Sequence, residues 1–197
     1  MAVSISLVIG VTIGLAAGFV GGWLDSLFMR IMDIMLAFPL LLLAITLLAI
    51  LGPGLRNAMI AVGIVGIPTY ARLARSMAIG LRSEDFVMAA ESIGATQWRI
   101  LWQHVFPNSL APIIVQATLG LGTAVIETAA LGFLGLGQQA PFPELGKMLA
   151  ESQQYLITGA WWGMVFPGLT ITFVVLGFNL LGDGLRDTLD PKLRGRE

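Results

Sequence analysis

Apolar residues run through this chain in long blocks, and polar positions fall between the blocks. Val3 to Gly22, Ile31 to Leu51, Ala58 to Ile79, Leu110 to Leu136 and Met164 to Leu181 are the five blocks. Runs of roughly 18 residues or more match a hydrocarbon core about 30 Å thick when helical. The pattern therefore predicts an all-α, polytopic membrane protein with five spanning helices in one domain over residues 1–197. The longest polar break is Arg82 to Pro107, RSEDFVMAAESIGATQWRILWQHVFP. Within it Phe86, Ala89, Ala90 and Ile93 fall at helical spacing, so one face of a short helix docks while the other stays wet. Two short helices are expected in this break, ended by Pro107.

Glycine and proline punctuate the blocks. Gly10, Gly14 and Gly18 recur every four residues and form one small stripe, the kind of surface that lets a second helix come close. Gly21-Gly22 end the first span, and Trp23 sits where an interfacial aromatic belongs. Asp25 and Arg30 fall in the short loop that follows. Pro39 is expected to bend the second span, which Gly52-Pro53-Gly54 end. Asp33 is three residues from Arg30, and a local ion pair is the favoured reading. Pro68 lies in the third span, whose last turns carry Arg72 and Arg75 towards the interface. Residues 138–162 are too polar and proline-rich to cross, and Trp161-Trp162 mark an interface again.

Composition agrees with the pattern: 56% of the 197 residues are hydrophobic and 12% are charged. A soluble domain carries about twice that charge. The net charge of -1 and the lack of basic-aromatic clusters give no footing for nucleic acid. With no cysteine, disulfides and thiolate metal sites are excluded, and the single histidine argues against a protein-only zinc site. No phosphate loop, GxSxG or HExxH motif occurs. No catalytic residue is assigned, and this chain is expected to bind no cofactor or metal itself.

Charge placement sets the orientation. With the Arg82 loop inside, Arg30, Arg72, Arg75, Arg82, Arg99, Arg186, Lys192, Arg194 and Arg196 are inside, and only Arg56 and Lys147 are outside. The amino end is then outside and the carboxyl tail cytoplasmic. The first span begins abruptly, as though a further leading helix belonged before it.

Several motifs carry a family resemblance. Ala89-Ala90, Gly94 and then His104-Val105-Phe106-Pro107-Asn108 resemble the EAA loop of ABC importer permeases. FMRIMDIMLAFP in Phe28 to Pro39, LGFLGLGQQAPFPELGKML in Leu131 to Leu149 and GDGLRDTLDPKLR in Gly182 to Arg194 resemble the peptide and nickel branch of that family. The likeness is closest to the second permease of dipeptide or oligopeptide systems. One position departs: Met88 stands where the loop's name-giving glutamate would be, and Glu84 and Asp85 supply acidity at the start of that helix.

The resemblance implies a type I importer transmembrane domain in a prokaryotic cell membrane. It implies a second permease, two ATP-binding cassette subunits holding ATP and magnesium, and an extracytoplasmic substrate-binding protein. Glu84, Asp85, Phe86, Val87, Ala89, Ala90, Glu91, Gly94 and Pro107 become candidate ATPase-coupling residues. Phe86, Val87, Ala89, Ala90 and Ile93 would supply the apolar contact, and the alanines and Gly94 would let backbones approach. Short peptides are the expected substrates; nickel or opines remain alternatives in the branch, and an ion-coupled transporter or channel is the rival outside it. Glu127 is a pathway residue meeting an ammonium group or cation, a structural partner of a neighbouring helix, or a group close enough to the outer surface to be hydrated. Gln116, Thr123 and Asn179 are weaker pathway candidates. The segment from Gln138 to Tyr155 is expected outside, as a contact for the binding protein, a gate or a simple cap.

Overall fold

The computed structural model describes residues 1–189; Lys192, Arg194, Arg196 and the last part of the tail motif lie outside the described residues. As expected, the described chain is helical, with α1 over Ala2–Val20, α2 over Gly22–Ala37, α3 over Leu40–Leu51, α4 over Leu55–Val65 and α5 over Ile67–Arg82. Then follow α6 over Asp85–Ser92, α7 over Gln97–Ile100, α8 over Phe106–Phe133, α9 over Leu145–Ser152 and α10 over Trp162–Leu189. Among the described residues, α1, the joined α4–α5, the run from Gln97 to Phe133, and α10 are long and apolar enough to cross a membrane. The α2–α3 pair would make a fifth span if its bent halves are taken together.

The glycine stripe organises the bundle. A Cβ at Gly10, Gly14 or Gly18 would collide with the backbone of Ile67, Ala71 or Arg75 respectively. Residue numbers rise together along both helices, so α1 and α5 run parallel. Backbones this close gain dispersion contact along the whole seam. The stripe reaches further than the glycines: the Ser6 hydroxyl donates to the Gly63 carbonyl at 2.7 Å from a buried position. Ala71, Ala74 and Ala78 supply the small residues on the facing helix, all fully buried.

Pro39 does more than bend the second span. Phe38 is extended (φ -92, ψ 142), as the residue before a proline must be, and Pro39 follows with ψ 127. Two consecutive non-helical residues turn the chain by 95°, so α2 and α3 are separate helices. Asp25 and Arg30, expected in a loop, lie on α2. The expected Arg30–Asp33 pair is also corrected. Asp33 pairs with Arg72 at 2.6 Å, and Asp25 accepts two bonds from Arg75, at 2.5 and 2.7 Å. Arg72 and Arg75 are therefore matched to α2, because α5 passes beside it, and the Arg75 guanidinium meets Asp25 as a two-bond fork.

The bundle has two ends. At one, Arg82 donates to the Phe19 carbonyl at 3.0 Å and lies over the Phe19 ring, satisfying the carboxyl end of α1. Arg75, α6, α7 and the last turns of α10 share this end. At the other, the Gly54 N–H donates to the Leu136 carbonyl at 3.0 Å, tying the α3–α4 turn to the end of α8. Arg56 and Lys147 belong there.

Candidate functional site: a surface helix and an intramembrane cavity

The polar break folds as a short helix wedged against the Arg82 end. Its inner face is Val87 and Ala90, both buried among Leu15, Phe19, Ala74, Ala78, Ile100, Leu101 and Val105. Through this cluster α6 is tied to α5 and α7 and shares a core with α1 and the π turn that leads into α8. The expectation that Val87 and Ala90 meet a partner is thereby corrected: they anchor the helix to its own bundle. The outer face is Glu84, Asp85, Phe86, Met88, Ala89, Glu91 and Ile93. Ile93 is 86% exposed and Met88 50%, so the position that departs from the EAA pattern points outward as an apolar group.

Within this chain Gly94 is placed by its backbone conformation, since no other part of the chain lies within 4 Å of a Cβ built there. Its φ is +84°, where L side chains are disfavoured. The Gly94 N–H donates to the Glu91 carbonyl at 2.9 Å, and the Ala95 N–H to the Ala90 carbonyl at 3.0 Å. That is the Schellman stop, completed by apolar contact between Ala95 and the cluster that holds Ala90. Gly94 thus sets the length of α6 and where its tip, Ile93, protrudes.

Pro107 does not end the segment either. Helix continues from Gln97 through a π turn at Leu101–Val105 into α8. Proline lacks the N–H and crowds the carbonyl four residues back, and the wider turn just before it accommodates both effects. Thr96 caps the start, accepting from the Arg99 N–H at 3.4 Å. Gln97 donates to Glu91 at 2.9 Å, tying α6 to α7. The Phe86 and His104 rings lie 6.5 Å apart. Trp98, Trp102 and Phe106 stack edge-on along the outer side of the joint at 5.6 and 5.3 Å.

Three of the four pathway candidates converge. Gln116, Thr123 and Glu127 line one cavity of about 120 Å³ with Tyr70 and Ser6. Asn179 does not join them; it lies on α10, against Gly122 on another face of α8. At the opposite end of the bundle, sequence reasoning passed over Glu144. One of its oxygens accepts from the Gln138 N–H at 2.5 Å, and Oε1 is buried without a partner among the described residues. Gly132 and Gly137 leave the room its carboxylate occupies. The glycine-rich run LGFLGLG was the available signal. The segment from Gln138 to Tyr155 carries α9, which packs between α8 and α10.

Known proteins agree with this architecture. The structure superposes on a methionine ABC transporter, MetNI, in an inward-facing conformation, with a TM-score of 0.73 over 96% of this chain and 89% of that one. At 20% sequence identity this likeness speaks for the fold, a type I importer transmembrane domain. The chain is 60% identical over 193 residues to the dipeptide transport system permease protein of Alkalihalophilus pseudofirmus, covering 98% of this chain and 63% of that protein. It is 53% identical over 192 residues to a di/tripeptide transport system permease protein of Pseudomonas aeruginosa, again covering 98% and 63%. It is 48% identical over 195 residues to a probable D,D-dipeptide transport system permease protein of Escherichia coli, covering 99% and 65%. The chain thus spans a little under two thirds of the length of these relatives. A family model matches residues 10–195, and the chain belongs to that family, the inner membrane component of binding-protein-dependent transport systems.

Proposed function

We propose that this chain is the permease subunit of an ATP-driven importer of short peptides, moved by ATPase subunits that grip α6. The observation that carries the proposal is the two-sidedness of α6. Its outer face is acidic and apolar, while Val87 and Ala90 lock its inner face into the core shared by α1, α5 and α8. A force applied to the outer face therefore moves the bundle as a body, which is what alternating access needs. Peptides are favoured over nickel or opines because the relatives' names specify dipeptides and tripeptides. Two ATP-binding cassette subunits hold the ATP and magnesium, so hydrolysis is not this chain's chemistry. A second permease completes the pathway, and a binding protein delivers substrate from outside. The α6 end is cytoplasmic, by the excess of arginine there.

The test uses the full-length subunit co-expressed with its companion permease and ATPases. Ile93→Asp and Phe86→Asp place charge on the outer face without touching the core. Both are expected to abolish co-purification of the ATPases and ATP-driven dipeptide uptake into proteoliposomes, with Lys147→Ala as an unaffected control. Retained ATPase binding in both aspartate variants, or uptake that needs no ATPase, would overturn the reading.

A further inference from the structure

We infer that the cavity at Glu127 holds the free amino terminus of the passing peptide, an inference that rests on the importer reading above. The two acidic groups on α2 are matched, Asp25 by Arg75 and Asp33 by Arg72. Among the described residues Glu127 has no hydrogen-bond or ion-pair partner, yet it lies in an apolar helix and lines a cavity. A carboxylate placed this way calls for a counter-charge.

The surroundings specify which cation. Gln116, Gly120, Thr123 and Glu127 follow one another at helical spacing and present one face of α8 to the cavity. Gly120 makes room for the Tyr70 hydroxyl, which donates to the Gln116 carbonyl at 3.4 Å. That leaves the phenolic oxygen free to accept. Carboxylate, threonine oxygen and phenolic oxygen together form an acceptor set for a group with three donors and no acceptor, which describes an alkylammonium. No cluster of three acidic or histidine side chains able to hold a metal ion exists among the described residues, which argues against a divalent cation. The volume, about 120 Å³, admits an ammonium head with several waters. Leu40, Thr69 and Thr123 are exposed, so the cavity is open to the outside of the chain.

The test is direct binding to the full-length transporter in nanodiscs, with both permeases and the ATPases but without the binding protein, which would impose its own selection. Glycylglycine and N-acetylglycylglycine are compared by saturation-transfer NMR in N-methylglucamine buffer. Glycylglycine should bind the wild type more tightly than the acetylated peptide. Its affinity should fall at least roughly tenfold in Glu127→Gln, recover partly in Glu127→Asp, and fall less in Thr123→Val. Equal affinity of wild type and Glu127→Gln, or equal binding of the acetylated peptide, would overturn the inference. So would displacement of glycylglycine by sodium, which would mark an alkali-cation site. Wild-type ATP-driven uptake, measured alongside, separates the two readings: its absence removes the importer, whereas equal affinities with uptake intact remove only the ammonium site.

Discussion

Replacing Gly14 by alanine drives one methyl group into α5. The new carbon would stand 2.9 Å from the Ala71 carbonyl carbon and 2.9 Å from the Ala74 Cβ, and nearer still to the Ala71 oxygen. Carbon atoms pack at about 3.5–4.0 Å, so α1 must retreat by roughly 0.5–1 Å. That retreat loosens the seam on both sides of the substitution. Overpacking of this kind costs about 1–3 kcal/mol. Gly80→Ala provides the matched comparison, because Gly80 also lies inside a helix but nothing is within 4 Å of its added carbon. The gain in helix propensity, up to ~1 kcal/mol, is common to both variants and cancels. The expected difference is therefore the overpacking term, which for a chain of this size corresponds to a melting temperature lower by about 2–12 °C in Gly14→Ala than in Gly80→Ala. Thermal unfolding in detergent, followed by intrinsic tryptophan fluorescence, measures it. Equal melting temperatures would refute the assignment of the stripe as the contact seam.

Further outcomes follow from the same geometry. The Asp25–Arg75 pair is bidentate and its side chains are 17% and 35% exposed, whereas both members of Asp33–Arg72 exceed 50%. Arg75→Ala should therefore destabilise by about 1–3 kcal/mol and Arg72→Ala by less than about 1 kcal/mol; similar unfolding midpoints for the two would contradict this. Val87→Ala removes two methyl groups from a fully buried site and should cost about 1–3 kcal/mol. It should leave ATPase binding intact while lowering peptide imported per ATP hydrolysed, and an unchanged ratio would detach Val87 from force transmission. Gly94→Ala forces a methyl-bearing residue to φ +84°, at a cost of about 1 kcal/mol, and should speed hydrogen exchange at the Gly94 and Ala95 amides. Unaltered exchange there would count against the Schellman stop.

Much of this was legible in the chain. Gly10, Gly14 and Gly18 announced a seam because spacing of four puts residues on one helix face whatever the fold. The Arg82 break and the shared helix face of Gln116, Thr123 and Glu127 follow from polarity and helical period alone. Other features depended on which helices become neighbours. Asp33 chose Arg72, 39 residues away, over Arg30, a partner that no local spacing displays. Val87 and Ala90 share a spacing compatible with docking either way, and only the position of Phe19 and Ile100 decides that they face inward. Pro107 looks like a stop in the sequence because the π turn that tolerates it leaves no mark in the hydropathy. Glu144 was hidden among glycines whose purpose is to surround it.

The parallel seam between α1 and α5 has a consequence for biogenesis. Ser6 leaves the ribosome 57 residues ahead of Gly63, the residue that accepts its hydrogen bond. At about 5–20 residues per second, the grooved side of α1 waits on the order of 3–11 s for its mate. During that interval the groove must be shielded by lipid, by the insertion machinery or by α2 and α3 as they arrive, and α1 settles later than its place ahead of α5 would suggest.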